Sequence, residues 1–152
     1  MRASAQRLIE ADVDAIAPAV EWTCARLAGW VDHEMARPGL TEALTNALIH
    51  GSFGLDRSVR DDLDVYLAAI HSCSESGSHP PIELLIVGDN TTCRVQIRWN
   101  GAPCPVDHRH RPHDEPTPQR TSGRGMHVIY HTCSEVLWCD DGLEIHLIYR
   151  RS

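Results

Sequence analysis

The apolar positions of this chain change their spacing part-way along it. Over residues 12–31, Val13, Ile16, Val20, Cys24 and Leu27 recur at intervals of three and four, which predicts an amphipathic helix that Pro18 either kinks or starts late. Pro38-Gly39 then interrupts, and Leu40, Ala43, Leu44, Ala47 and Leu48 predict a second helix over 40–50 that stops at Gly51. A third is predicted over 59–70, with Ser58 as N-cap and Asp61 and Asp62 in its first turn, where the helix dipole favours acids. The Ser/Gly/Pro-rich stretch 72–81 reads as a loop.

Beyond Pro81 the period falls to two. Residues 82–87 and 92–99 predict strands joined by a Gly-Asp-Asn turn, with Val95, Ile97 and Trp99 on one face and Arg94, Gln96 and Arg98 on the other. Residues 100–125 have little periodicity and read as a long loop. A short helix over 126–133 and a hairpin of 135–139 with 143–149 around Asp140-Asp141-Gly142 complete the pattern. The expected fold class is an α/β (α+β) two-layer sandwich, its sheet mixed and mainly antiparallel, with helices on one face.

Composition narrows the function. The 152 residues suit one domain, and 42% hydrophobic with 23% charged residues is the balance of a globular protein. The apolar runs fall far short of a membrane span, and the basic start lacks the apolar block of a secretion signal, so a cytoplasmic protein is expected. Six cysteines without a C-x-x-C pair suit free thiols. A formal charge of -7 argues against nucleic-acid binding and for a protein or small-molecule partner.

Glu42 and Asn46 lie one helical turn apart and project from the same edge, away from the apolar stripe. A carboxylate there can accept a proton from a hydroxyl, and an amide oxygen is a hard ligand suited to Mg²⁺; the plainer alternative is two solvated surface groups. Gly123-Arg124-Gly125 leads into the helix beginning near Met126, a loop-to-helix turn whose backbone N–H groups can meet phosphate oxygens. His108, His110 and His113, flanked by Asp107 and Asp114, form either a transition-metal cluster or a solvated polar loop.

Taken in order, these segments resemble the GHKL (histidine-kinase-like) ATPase superfamily. The stretch 42–51, Glu-Ala-Leu-Thr-Asn-Ala-Leu-Ile-His-Gly, is similar to its N-box, and Gly123-Arg124-Gly125-Met126 to its G2 box; the likeness runs from about residue 10 to the end. Asn46-Ala47-Leu48-Ile49-His50-Gly51, the extra helix after it and the run Asp114-Glu115-Pro116-Thr117 look like the anti-sigma-factor serine/threonine kinases. The resemblance implies one Bergerat-type ATP-binding domain over 1–152, with a lid loop at about 102–122 and ATP and Mg²⁺ as cofactors. It also implies a STAS-type antagonist or a sigma factor as partner, and a homodimer. Glu42 would be the general base and Asn46 the magnesium ligand, with His50, Gly101, Gly123, Arg124, Gly125 and Met126 around the nucleotide. The family's Asp-x-Gly-x-Gly G1 box, whose Asp reads adenine, is here Trp99-Asn100-Gly101-Ala102-Pro103, which keeps only Gly101. Either Asn100 or Asp107 substitutes, with Trp99 stacking near the base, or the domain is a degenerate kinase that acts by binding a partner.

Overall fold

In the computed structural model, which describes residues 3–110 and 124–151, one antiparallel sheet carries helices on its apolar face. The strands are β1 (Ala3–Ile9), β2 (Ile82–Gly88), β3 (Thr92–Arg98), β4 (Glu135–Cys139) and β5 (Glu144–Arg150), in the order β1-β2-β3-β5-β4. Every pairing is antiparallel, so the sheet is not mixed as expected. Register puts Leu84, Ile97 and Ile145 in one row and Ile86, Val95 and Leu147 in the next, all buried on the helix side. The β4–β5 turn runs through Asp140, Asp141 and Gly142 with φ of 49°, 53° and 92°, which short polar residues and glycine tolerate.

Strand β1 was not predicted. Its inward positions are Ala5, Arg7 and Ile9 in place of a β-branched run, so it lacks the alternating signature. Arg7 keeps the inward position by setting its guanidinium 5.7 Å from the centre of the Trp22 ring.

Aspartates cap the 3₁₀ turn that leads into the first helix and the starts of the second and third. Asp12 opens a 3₁₀ turn, and helix α1 (Ile16–Leu27) follows with Pro18 in its first turn, so the proline delays the helix and does not kink it. Helix α2 (His33–Asn46) starts seven residues before the predicted 40, because Asp32 caps it at 2.7 Å from the Glu34 N–H and it continues through Pro38-Gly39. Buried Ala36, Leu40 and Leu44 on both sides of that pair outweigh its poor helix propensity. Helix α3 (Leu63–Ser76) is capped by Asp62, not by Ser58, and runs six residues past 70 to a left-handed Gly77. Helix α4 (Arg124–Thr132) lies along α2.

Gly39 is where α2 and α4 touch. A Cβ there would overlap the Thr132 hydroxyl and lie 3.6 Å from the Ile129 Cα. We therefore expect Gly39→Ala to destabilise the protein. The helix-propensity gain of about 1 kcal/mol is outweighed by overpacking of about 1–3 kcal/mol. Denaturant unfolding measures the loss, and adding Thr132→Ala should recover most of it; a single variant as stable as the parent would mean that α4 shifts freely.

Candidate functional site

At the end of α2 the backbone widens into a π-helical turn, Ala47–Ser52, and does not stop at Gly51. Phe53 N–H bonds Leu48 O at 2.8 Å and Leu55 N–H bonds Ile49 O at 3.0 Å, so the chain leaves the helix only after Ser52. All six residues of the turn are buried. Gly51 is held under the Trp99 ring, whose Nε1 would lie 2.6 Å from any Cβ at 51. Gly101 likewise has no room for a Cβ against the Gly51 carbonyl, which accepts the Ala102 N–H at 3.0 Å. The N-box-like helix and the G1-like loop are thus interlocked, and beside them opens a cavity of about 340 Å³ lined by Ala43, Asn46, His50, Leu55, Arg57, Trp99, Met126 and Ile129 among others. That volume suits a small organic ligand.

Glu42, Asn46 and Gly125 meet at the cavity's edge. A Cβ on Gly125 would overlap the Glu42 carboxylate at Oε2 and lie 3.6 Å from Asn46 Nδ2. Both α2 side chains are half-buried against the start of α4, so neither is a plain solvated surface group. A carboxylate at a helix N-terminus is also favoured by the dipole, which gives Glu42 a structural role beside any chemical one. Sequence reasoning missed a cation: Arg60, from the 3₁₀ turn Arg57–Asp61, donates from Nη2 to Asn46 Oδ1 at 3.2 Å. A divalent ion at that oxygen would have to displace the guanidinium.

His50 lines the cavity and is itself buried. Its Nδ1 lies 2.9 Å from Leu55 O, and a carbonyl only accepts, so Nδ1 carries the proton and Nε2 presents a lone pair. Nε2 is buried with no partner among the described residues, and the residue as a whole is 9% exposed. Burial chiefly, helped by the charges of Arg57 and Arg60, pushes its pKa from 6.5 down to about 4, so the ring is neutral at pH 7.

The other expectations fall differently. Trp99 takes the position of the family's base-reading acid, but its Nε1 donates to Ala102 O at 2.8 Å and offers no acceptor. Asn100 and Asp107 are exposed, and neither lines the cavity. The described start of the loop expected to form a lid is pinned to the β4–β5 turn: Cys104 N–H bonds Gly142 O at 2.8 Å, and Arg109 spans Cys104 O and Asp141 O at 2.7 and 2.8 Å. Gly123, His113 and Asp114–Thr117 lie outside the described residues, as does the Arg124 side chain. Met126 is buried and lines the cavity.

Among the described residues, His108 and His110 gather no third metal donor; the grouping within 4.8 Å is Cys139, Glu144 and His146 on the opposite sheet face. There Arg94 Nη1 lies 3.5 Å from His146 Nδ1 and Arg98 Nη1 3.8 Å from Glu144 Oε1, so guanidinium cations already share the space. All six cysteines are free thiols, and burial raises the pKa of Cys104 beside the cavity. No helix among the described residues is long and apolar enough to cross a membrane.

The depressed His50 pKa makes stability depend on pH. Between pH 6.5 and about 4 the unfolded chain binds a proton that the folded one refuses, so stability is full above 6.5 and falls as pH drops towards 4. The loss traceable to His50 is on the order of 3 kcal/mol at most. We expect His50→Gln to flatten this acid limb in denaturant titrations at pH 7, 5.5 and 4.5; parallel limbs in variant and parent would place the titrating group elsewhere.

Comparison with protein-family models and with curated proteins finds no match, so the functional reading stands on the motifs and on the geometry of this cavity.

Proposed function

We propose that this protein is an ATP- and Mg²⁺-dependent protein kinase domain of the anti-sigma-factor type. It would phosphorylate a serine or threonine on a STAS-type antagonist and thereby regulate a sigma factor. The observation that supports this best is the meeting of Glu42, Asn46 and Gly125, drawn from two distant segments, at the mouth of a cavity of ligand size. Bound Mg·ATP supplies the phosphoryl group; the rest is positioning and charge. Glu42 Oε2 takes the proton of the incoming hydroxyl. Asn46 Oδ1 would be the hard donor for magnesium if Arg60 moved aside, and the backbone N–H groups at the start of α4, near Gly125, would supply donors for phosphate oxygens. Arg57 in the cavity wall adds a positive charge.

A second reading, a non-catalytic partner-binding module, is favoured by two features. Arg60 already holds Asn46 Oδ1. Leu63 and Leu67, one turn apart on α3, are 65% and 54% exposed, an apolar strip suited to a protein surface.

Isothermal titration with ATP, with and without Mg²⁺, separates the two. The kinase reading expects magnesium-assisted binding, and expects Glu42→Gln to cut phosphotransfer to a STAS-type acceptor by about 10²-fold or more while ATP affinity holds. No binding at millimolar ATP would leave the partner-binding module.

Arg60→Met should enlarge the ratio of affinities measured with and without magnesium, because Asn46 Oδ1 becomes free. An unchanged ratio would remove Asn46 as the metal's ligand.

A further inference from the structure

We infer that Cys139 is a reactive thiol, served by His146 as base and Glu144 as its orienting group, that hydroperoxides oxidise to a sulfenic acid. The site lies on the sheet face opposite the helices and does not rest on the nucleotide reading above. Strand register builds it. Cys139 pairs with Glu144 and Leu137 with His146 across β4 and β5, so sulfur, carboxylate and imidazole share one face. His146 is buried there, whereas Glu144 and Cys139 are partly exposed. The tautomer of His146 is fixed from two sides. Its Nε2 lies 2.8 Å from Glu144 Oε2, a carboxylate oxygen that accepts, and Arg94 Nη1, which only donates, lies 3.5 Å from Nδ1. Nε2 therefore carries the proton, and the Nδ1 lone pair stands 4.0 Å from Cys139 Sγ.

The guanidinium that crowds a metal ion at this cluster favours an anion instead. Arg94 and the sulfur approach the same ring nitrogen, so a thiolate formed at Cys139 has a positive charge close by. The other five thiols are placed differently. Burial raises the pKa of Cys24, Cys93 and Cys104. The Cys133 S–H faces the Ile129 and Glu135 carbonyls at 3.2 and 3.4 Å, and Cys73 packs against the core. At Cys139, His146 Nδ1 takes the thiol proton and the sulfur attacks the terminal oxygen of the hydroperoxide. An S–O bond forms as the O–O bond breaks; sulfur is oxidised and the peroxide reduced. The departing alkoxide or hydroxide collects the proton from Nδ1 and leaves as an alcohol or water. Glu144 is a positioning residue, holding the ring with its lone pair towards the sulfur.

The test treats the full chain with substoichiometric hydrogen peroxide in the presence of dimedone, which traps sulfenic acids, and maps the adducts by peptide mass spectrometry. We expect the Cys139 adduct to form about tenfold faster than those at Cys73 and Cys133, the other partly exposed thiols. In His146→Gln the Cys139 rate should fall about tenfold, to the pace of those two. In Glu144→Ala the ¹⁵N shifts of the His146 ring should move towards the Nδ1–H tautomer while the rate falls. Should a variant fold poorly, the ranking of the three thiols in the wild type still decides. Equal rates at the three thiols, or a Cys139 rate in folded His146→Gln that matches the wild type, would overturn the assignment.

Discussion

The cavity exists because Gly51 has no side chain. The Trp99 ring and the Gly101 backbone both occupy space that any Cβ at 51 would need, and the Gly51 carbonyl ties the same loop by the Ala102 N–H. This three-way contact joins the end of α2 to the end of β3, two segments that belong to different layers of the fold. The π-helical turn lies at this contact. A regular α-helix would carry Gly51 round by its usual angle, whereas the wider turn keeps six consecutive residues buried and turns His50 into the cavity wall.

The cavity wall mixes apolar side chains with a few polar and charged ones. Leu55, Trp99, Met126 and Ile129 share its lining with Asn46, His50 and Arg57, and Arg60 reaches the lining through its bond to Asn46. Such a mixture suits a small ligand that carries polar or charged groups on an apolar frame. The guanidinium on Asn46 does in this structure what a metal ion would do elsewhere: it places a positive charge beside an amide oxygen.

Much of the fold was legible where packing follows local pattern. Strands β2 to β5 each carry alternating or continuous apolar residues, and their limits fall within a residue or so of those expected. Strand β1 was not legible, since Ala5 and Arg7 carry no strand signal and become inward positions only through pairing with Ile86 and Leu84. The start of α2 was obscured by Pro38-Gly39, a local breaker overridden by burial on both sides. Glu42, Asn46 and Gly125 could be picked out as candidates from their spacing and their likeness to known motifs. The tautomer of His50 and the bond from Arg60 to Asn46 could not, because each depends on where a neighbouring turn lands after folding.

The antiparallel run of α2 against α4 sets a dimension as well as a contact. Gly39 meets Thr132 two helical turns, roughly 10 Å, from where Asn46 and Glu42 meet Gly125. The spacing of the two rigid rods at the far point fixes their spacing at the near one, as a hinge pin fixes the opening of a pair of jaws. The gape of the site is therefore gauged by a single absent methyl group two turns further along the same helix pair.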